Sequence, residues 1–314
     1  MSNYLPISVI TPVYNSVRTI DESVLSVLGQ THLPLEYIIV DDASSDGTAQ
    51  RLLELRTSHP DLLKIITHSE NRGAGIARLT GLAQARGEWI AFLDGDDQWD
   101  PNYLFEMLTA VRAEEKARPW AVFCWSRIVD ASGEPTPVVN NPTPGFYDLE
   151  KFFSGIFPPG NGSSWLFKRA IIEEVGTLKP WRLTQDVEFF LRALSRSQRP
   201  ALCHGKVLVK RRVWHGSLMT KFQAERTANI FACFKEYLPL LPPAARQRVL
   251  ANWASFWRAF GPSQWHRQAE VAGWALVINL PMSLFSGRVW KVLLRTLSFW
   301  DNFWKPILKR LLRR

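Results

Sequence analysis

The sequence contains little cysteine, and none of it is spaced to form a cross-link or a metal site. Three cysteines, Cys124, Cys203 and Cys233, are far apart in 314 residues, and no two form a CxxC pair. This pattern argues against a disulfide framework or a cysteine zinc site and favours a reducing, cytoplasmic compartment. The N-terminus also lacks a basic segment followed by a long apolar run, so we expect no signal peptide.

Acidic residues are scarce in the last third of the chain. Residues 205–314 hold 19 basic and 4 acidic side chains, against 19 and 25 in residues 1–204, and seven of the 14 tryptophans lie between Trp253 and Trp304. A basic, tryptophan-rich tail is typical of binding to an anionic membrane surface or a nucleic acid. The chain as a whole is 46% hydrophobic and 21% charged, which excludes a collagen-like or largely disordered protein.

The tail also lacks a long apolar run. Residues 271–287 carry no charge, but 17 residues are at the lower limit for a membrane span and include Asn279 and Pro281. Residues 288–305, placed on a helix, have a basic stripe beside a broad Trp, Leu and Phe face, which suits the headgroup region of a bilayer. Because the aromatic face is opposite the charge, we do not expect a nucleic-acid partner. We expect peripheral attachment to the inner face of the cytoplasmic membrane; packing on the rest of the chain or a dimer interface is the open alternative.

Short apolar runs alternate with helical patterns through the first 130 residues. This alternation predicts βαβ units and an α/β fold with a mostly parallel sheet flanked by helices. The predicted strands are Ile7–Thr11, Tyr37–Asp41, Leu63–Thr67 and Trp89–Leu93, and the predicted helices cover 16–30, 51–56 and 74–85.

The alternation stops after residue 130. Residues 132–159 are rich in Gly, Pro and Asn and predict a long loop. Helices are predicted at 168–175 and 186–195, followed by helices separated by proline-containing turns. We therefore expect a large domain at 1–225 and a helical, basic, Trp-rich membrane-associating region at 226–314.

Two acidic clusters follow predicted strands: Asp41-Asp42 and Asp94-Gly95-Asp96-Asp97. Ligands of open α/β sheets bind at the carboxyl ends of the strands. Carboxylates crowded this closely repel one another unless a cation or hydrogen-bond donors compensate them. The clusters therefore predict a polar binding site, with simple turn or helix capping as the alternative.

Five segments occur in order along the chain: Ile7-Ser-Val-Ile-Thr-Pro-Val-Tyr-Asn15, Val40-Asp-Asp-Ala-Ser-Ser-Asp-Gly-Thr48, Asn71-Arg-Gly-Ala-Gly-Ile-Ala-Arg78, Gly87-Glu-Trp-Ile-Ala-Phe-Leu-Asp-Gly-Asp-Asp97 and Gln185-Asp-Val-Glu-Phe189. Together they resemble the family 2 glycosyltransferases over about residues 6–220. The resemblance implies an inverting enzyme with a GT-A (Rossmann-like) fold that holds a nucleotide-sugar donor, with a UDP-sugar favoured.

The resemblance also implies which residues hold the nucleotide. By position, the nucleobase meets the backbone of Pro12 to Tyr14 and the side chain of Asp42, with Asp41 adjacent. Arg78 is expected near the base or the diphosphate; a solvated helix arginine is the alternative. Leu79 stands where the family often has Asn, which changes the local contacts.

The DxD motif, Asp94-Gly95-Asp96, implies a divalent cation. In the family the first Asp, here Asp94, contacts the ribose and the last, Asp96, binds Mg²⁺ or Mn²⁺, for which carboxylate oxygens are suitable ligands. His215 is expected to complete the metal shell, with a surface-loop histidine as the alternative. Asp97 is a second metal ligand or a helix cap.

Asp186 is the candidate general base, because inversion requires a carboxylate that takes the proton of the attacking hydroxyl. The family has Glu-Asp here, whereas this chain has Gln185-Asp186. An N-cap role is compatible with the catalytic one. Trp165 and Trp181 either stack on a sugar or pack in the core.

We therefore predict a metal-dependent transferase that moves one sugar to an acceptor hydroxyl of a polysaccharide or lipid-linked glycan intermediate. Three alternatives stay open: a polyprenyl-phosphate sugar synthase, a non-catalytic nucleotide-sugar-binding membrane adaptor, and a metal-dependent donor hydrolase.

Overall fold

The computed structural model describes residues 4–154, 161–213 and 222–249. The chain divides into two units, one of residues 1–149 and 158–230 and the other of residues 150–157 and 231–314. The predicted tail helices beyond residue 250 and the candidate ligand His215 lie outside the described residues. The predicted domain boundary at 225 and the membrane-binding tail therefore stay predictions.

The first half of the larger unit is a parallel sheet with helices between its strands. Its elements are β1 (Tyr4–Val13), α1 (Ile20–Leu28), β2 (Leu33–Asp41), α2 (Thr48–Ser58), β3 (Leu63–Thr67), α3 (Ala74–Gln84) and β4 (Trp89–Phe92). Neighbouring strands run in the order β3, β2, β1, β4, and all three pairings are parallel.

These strands form because their side chains are apolar on both faces. Ile7, Val9 and Ile10 of β1 are fully buried, as are Ile38 and Ile39 of β2. Strands covered by helices on both faces are continuous apolar runs of this kind. The predicted α/β fold class is confirmed, and each predicted element of this half is present with bounds shifted by a few residues.

Beyond β4 the sheet becomes mixed. The elements that follow are β5 (Gln98–Trp99), α4 (Tyr103–Ala113), β6 (Ala121–Val129), β7 (Pro135–Asn140), β8 (Gly145–Tyr147), α5 (Leu149–Ser154), β9 (Trp165–Lys168), α6 (Ile171–Val175), α7 (Gln185–Arg196), β10 (Ala201–Arg212) and α8 (Gln223–Tyr237). The strand order continues β4, β9, β6, β10, β5, with β9 antiparallel to both of its neighbours and β6 parallel to β10. Two short strands pair beside this path: β7 with β6 and β8 with β10.

The long loop predicted at 132–159 is wrong for much of its length. The segment contains β7, β8 and α5. Strand β7 is mostly exposed and carries Pro135 and Pro137, so it lacks the buried apolar pattern that marks a strand in the sequence. The helix predicted at 168–175 is also shorter, because β9 extends to Lys168 and α6 begins at Ile171.

The smaller unit is described only over 150–154 and 231–249. Arg248 donates two hydrogen bonds to Glu150, from Nε to Oε1 at 2.8 Å and from Nη2 to Oε2 at 2.9 Å. The rings of Phe153 and Phe234 meet edge to face, 5.1 Å apart. Throughout the described part of the chain, no helix has the length and apolar content needed to cross a membrane.

A buried carboxylate joins β1 and β2 to the turn before β4. Glu36 Oε1 accepts hydrogen bonds from Ser8 Oγ at 2.7 Å and from the Arg86 N–H at 2.6 Å, and Ser8 Oγ accepts from the Gly87 N–H at 2.8 Å. Burial alone would raise the pKa of Glu36, but these donors and the Arg86 charge outweigh it and lower that pKa. The ionised form is therefore the one the fold stabilises.

We expect Glu36→Ala to lower the free energy of unfolding by about 2 kcal/mol at neutral pH, because it leaves buried donors without an acceptor. Since the folded pKa lies below the unfolded one, this stabilisation is present above the unfolded pKa and is lost as the pH falls through the folded value. Urea unfolding at about pH 7 and about pH 3 measures the difference. Glu36→Gln, which keeps one acceptor oxygen, is the control and loses less. An equal loss at both pH values would contradict this account.

Candidate active site

The carboxyl ends of three parallel strands meet at one edge of the sheet. Val13 at the end of β1 is paired with Asp41 at the end of β2, and the Asp42 N–H donates to the Val13 carbonyl at 2.8 Å. Strand β4 lies on the other side of β1 and leads directly into Asp94. Both acidic clusters predicted from the sequence therefore lie at the same edge.

Asp42 holds the loop that leads into α3. Its Oδ2 accepts from the Gly73 N–H at 2.6 Å, and both of its oxygens accept from the Arg72 N–H at 3.0 Å. The buried His68 bonds Asp42 Oδ1 through Nδ1 at 2.7 Å and Thr80 Oγ1 through Nε2 at 2.9 Å. These contacts give Asp42 a structural role beside the one predicted for it, and no sequence pattern singled out His68.

Asp41, the residue before Asp42, has one carboxylate oxygen that could accept a hydrogen bond from a ligand. The residue is fully buried; Oδ1 accepts from the Ser44 N–H at 3.2 Å, while Oδ2 has no hydrogen-bond partner. A buried carboxylate oxygen without a donor is costly unless a ligand supplies one. Nearby in the chain Pro12 is buried and Tyr14 is 47% exposed. Asp41 is therefore the better candidate for contact with a base N–H.

Arg78 is a buried residue of α3, and its guanidinium interacts with the carboxylates of Asp94 and Asp186. It donates from Nη2 to Asp94 Oδ1, its guanidinium lies 5.6 Å from the centre of the Phe92 ring, and its Nε has no partner. Burial lowers the pKa of Arg78, but the charges of Asp94 and Asp186 outweigh it and raise that pKa. The guanidinium is thus a fixed positive charge inside the site and not a solvated helix arginine.

Asp186 approaches the same guanidinium from α7. A Cβ added to Gly162 would lie 3.3 Å from Arg78 Nη2 and 3.6 Å from Asp186 Oδ2. Asp186 Oδ1 accepts from the Val187 N–H at 2.9 Å, so its other oxygen is the one directed to this space. Thr184, just before the helix, has a left-handed φ of 64°, which is uncommon for a β-branched residue and fixes the entry into α7.

The loop after β4 concentrates negative charge. Burial, followed by the charges of Asp96 and Asp94, raises the pKa of Asp97 to about 8. Asp97 accepts from the Asn161 Nδ2 at 3.1 Å and from the Arg212 N–H at 3.0 Å. Asp96 beside it is half-buried.

This donor set suits a divalent cation, since Mg²⁺ takes one or two carboxylates and completes its shell with phosphate oxygens and water. Within the described ranges no group of three or more His, Cys, Asp or Glu side chains is arranged around a metal position.

Residues from the second half of the sheet fix this loop. The Arg212 guanidinium is buried and donates to the carbonyls of Asp96 at 3.2 Å and Ala131 at 2.9 Å and to Glu22. Ser163 Oγ accepts from the Asp94 N–H at 3.0 Å. No local sequence pattern marks these structural roles of Arg212 and Ser163, because their partners are distant in the chain.

The two tryptophans predicted near the acceptor differ. Trp165 is buried, with its ring 4.3 Å from that of Phe190, so it packs in the core. Trp181 is partly exposed, and its backbone carbonyl covers Gly75, where an added Cβ would lie 2.1 Å away. Gly75 therefore allows the chain before Asp186 to pack directly on the start of α3.

Comparison with known proteins identifies relatives of this chain. The family model described as glycosyl transferase family 2 matches residues 8–176. An uncharacterized glycosyltransferase of Nostoc sp. is 31% identical over 190 residues, which are 58% of this chain and 57% of the relative. The UDP-Glc:alpha-D-GlcNAc-diphosphoundecaprenol beta-1,3-glucosyltransferase WfgD of Escherichia coli is 44% identical over 104 residues, 33% of this chain and 40% of the relative. The matches thus span about half the length of these relatives.

Among solved structures, the chain is similar to S. aureus TarS 1-349 in complex with UDP-GlcNAc. The TM-score is 0.63 at 20% sequence identity, with 94% of this chain and 87% of that one covered. TarS 1-349 in complex with UDP gives a TM-score of 0.58 at 19% identity, covering 88% and 76%. At this identity the likeness shows the fold.

Proposed function

Because this chain belongs to glycosyl transferase family 2, we propose that it transfers one sugar, with inversion, from a uridine nucleotide sugar to an acceptor hydroxyl. One observation carries the proposal: Arg78 is bonded to Asp94 on the nucleotide side and faces Asp186 on the other. Asp94, which would bind the nucleotide, and Asp186, which can act as base, thus lie on either side of the buried Arg78 guanidinium. This arrangement suits a direct displacement between two substrates.

On the nucleotide side, Asp41 Oδ2 accepts the N–H of the uracil ring, and the backbone from Pro12 to Tyr14 lies beside the base. The unpartnered oxygen of Asp41 supports this assignment over Asp42, whose oxygens already accept from the chain. Asp94, held by Arg78, is close to the ribose. A buried acceptor of this kind discriminates against bases that offer no N–H.

Asp96 would hold Mg²⁺ or Mn²⁺ together with the diphosphate. When bound, such an ion stabilises the negative charge that develops on a leaving diphosphate. Burial, followed by the charges of Asp96 and Asp94, raises the pKa of Asp97. A cation bound to Asp96 would offset this crowding of negative charge.

On the acceptor side, Asp186 takes the proton of the attacking hydroxyl. The hydroxyl oxygen forms a bond to the anomeric carbon from the face opposite the nucleotide, and the bond between that carbon and the diphosphate oxygen breaks. The electron pair leaves with UDP, and the proton stays on Asp186. A one-step displacement of this kind inverts the anomeric configuration.

A lipid-linked or polysaccharide acceptor is favoured by the relatives. WfgD carries a diphosphoundecaprenol substrate in its name, and the succinoglycan biosynthesis protein ExoO of Rhizobium meliloti is 37% identical over 103 residues, 32% of this chain and 28% of that protein. The basic, Trp-rich residues 271–314 would hold the enzyme against the membrane where such acceptors are located.

A panel of nucleotide sugars tests the proposal. We expect UDP release from UDP-glucose or UDP-GlcNAc with Mg²⁺ or Mn²⁺, and release at least about tenfold slower after chelation with EDTA, restored by adding the ion back. NMR of the product with a glycoside acceptor checks that the anomeric configuration is inverted. Binding of UDP without turnover of any nucleotide sugar would favour the adaptor, and a product with retained configuration would overturn the mechanism.

A further inference from the structure

The segment that joins α6 to α7 lies against the helix that carries Arg78. A Cβ added to Gly75 would lie 2.1 Å from the Trp181 carbonyl oxygen and 3.3 Å from the Trp181 nitrogen, so the two backbones are in direct contact. Gly75 and Arg78 are three residues apart on α3 and therefore share one face of that helix, about one turn apart. Trp181 thus lies close to the guanidinium that interacts with Asp94 and Asp186.

Helices α7 and α8 both hold this segment in place. Glu188 of α7 is fully buried, and its carboxylate lies 3.0 Å from Lys179 Nζ and 2.9 Å from Arg192 Nη2. From α8, Asn229 Nδ2 donates to the Leu183 carbonyl at 3.1 Å. Side chains carried by a segment that is fixed in this way lose less conformational entropy when they bind a ligand.

Two neighbouring side chains of this segment are accessible to a ligand. Trp181 is partly exposed, and its indole offers a flat apolar surface to the C–H groups of a sugar ring. Arg182 is exposed, and its Cγ would lie 3.7 Å from a Cβ added to Gly73. The Arg182 guanidinium lies 4.7 Å from the centre of the Phe222 ring. An apolar ring and a cation are thus adjacent in the chain and close to α3.

Arg182 has a second exposed arginine beside it. Arg72 directly precedes Gly73, on which the stem of Arg182 packs. Among the described residues, neither guanidinium has a hydrogen bond or an ion pair, whereas Lys179 is already paired with Glu188. Guanidinium groups bind phosphate oxygens through paired hydrogen bonds, and a diphosphate diester carries two negative charges. Two neighbouring unpaired arginines therefore match a diphosphate in charge.

We infer that Trp181, Arg182 and Arg72 form an acceptor subsite and that the acceptor is a glycosyl diphosphate. The indole stacks on its sugar, and the two guanidinium groups bind its diphosphate. The inference rests on the proposed function and narrows its acceptor, because the free end of a polysaccharide has no diphosphate beside the reacting sugar. These residues select the acceptor and take no part in the bond changes.

Two soluble probes that differ only in the diphosphate test the subsite: octyl GlcNAc α-diphosphate and octyl α-GlcNAc. Their affinities are measured by calorimetry with UDP and Mg²⁺ present and no bilayer, so phospholipid headgroups cannot contribute. We expect the wild-type chain to bind the diphosphate probe at least about tenfold more tightly, since hydrogen bonds to charged groups contribute this much or more. Arg182→Gln keeps the stem over Gly73 and removes the charge, and it should reduce this preference to about threefold or less. Arg182→Lys should retain most of it.

Trp181→Ala should weaken the binding of both probes alike, by about fivefold, because both contain the stacked sugar. Trp181→Phe, which keeps an aromatic ring, should weaken both less. The affinity for UDP should stay within about twofold in the variants of both residues. A large loss of UDP affinity in Arg182→Gln would assign the arginine to the diphosphate of the donor and overturn the inference.

Arg56→Gln and Tyr4→Ala are the matched controls. Arg56 is exposed in the last turn of α2, and Tyr4 is 52% exposed at the start of β1, so both are remote from the carboxyl edge of the sheet. Neither variant should change the affinity for either probe. Equal affinity of the wild-type chain for the two probes, binding of neither, or an unchanged preference in Arg182→Gln would overturn the inference.

Release of UDP from a UDP-sugar, measured separately on the wild-type chain, tests the proposed function alone. Turnover of a UDP-sugar together with no preference for the diphosphate probe would remove the subsite and leave the proposed function standing. A wild-type chain that turns over no UDP-sugar would overturn the proposed function and the subsite with it.

Discussion

We expect Asp186→Asn to lower kcat for sugar transfer by about 1000-fold and to leave the affinity for the UDP-sugar within about twofold. The amide cannot take a proton from the attacking hydroxyl, and general-base catalysis contributes about 10²- to 10⁴-fold. The substitution keeps the acceptor oxygen for the Val187 N–H at 2.9 Å, so the start of α7 is preserved. Steady-state UDP release and calorimetric UDP-sugar binding separate the two effects.

Asp61→Asn is the control for Asp186→Asn. Asp61 is an exposed aspartate just before β3, at the amino end of that parallel strand and not at the carboxyl edge that holds the site, and its replacement removes the same charge. It should not change kcat. If Asp186→Asn kept more than about a tenth of the wild-type kcat, another group would have to be the base; if it lost UDP binding, its role would lie on the nucleotide side.

Asp41→Asn should weaken UDP binding about 100-fold without lowering the stability of the unliganded chain. Asp41 Oδ1 accepts from the Ser44 N–H, and in the proposed complex the partnerless Oδ2 would accept from the N–H of the uracil ring. An asparagine presents its NH₂ to one of them whichever way it is turned, and a buried unmatched donor costs about 1–3 kcal/mol. In the unliganded chain Oδ2 has no partner, so removing its charge does not cost stability.

Asp42→Asn is the matched comparison, because the two aspartates are adjacent and both buried. Its oxygens accept from Arg72, Gly73 and His68, so the amide should lower the melting temperature, which Asp41→Asn should not. Thermal unfolding and UDP calorimetry on both variants give the contrast. Loss of UDP affinity in Asp42→Asn with full affinity in Asp41→Asn would return the base contact to Asp42.

The sequence predicted secondary structure best where the apolar pattern of a segment matches its burial in the folded chain. The strand at Tyr37–Asp41 could be predicted because it is buried on both faces. Burial on both faces requires a continuous apolar run, and such a run is visible in the sequence. The edge strand β7 was missed, since it is exposed and contains prolines. The parallel half of the sheet was thus predictable from residues alone, and the mixed half was not.

The sequence indicated which residues lie in the site better than it indicated the role of each residue. Asp41 and Asp42 are equivalent in the sequence, and only the hydrogen bonds to Ser44, Arg72 and Gly73 distinguish them. Arg212 could not be recognised as buried, because the charged groups that surround it come from segments about 115 and 190 residues away. Such partners depend on strand order, which no local pattern encodes.

The antiparallel direction of β9 allows donor specificity and acceptor specificity to be encoded in different segments of the chain. Because β9 runs antiparallel to β4, its first residues lie beside Asp94, and Gly162 and Ser163 arrive at the carboxyl edge from the opposite half of the sequence. The groups around Asp94 therefore come from two stretches of the chain, one before residue 100 and the other after residue 160. A chimaera that exchanges only the later segment with a relative should inherit a new acceptor while continuing to consume the same sugar nucleotide.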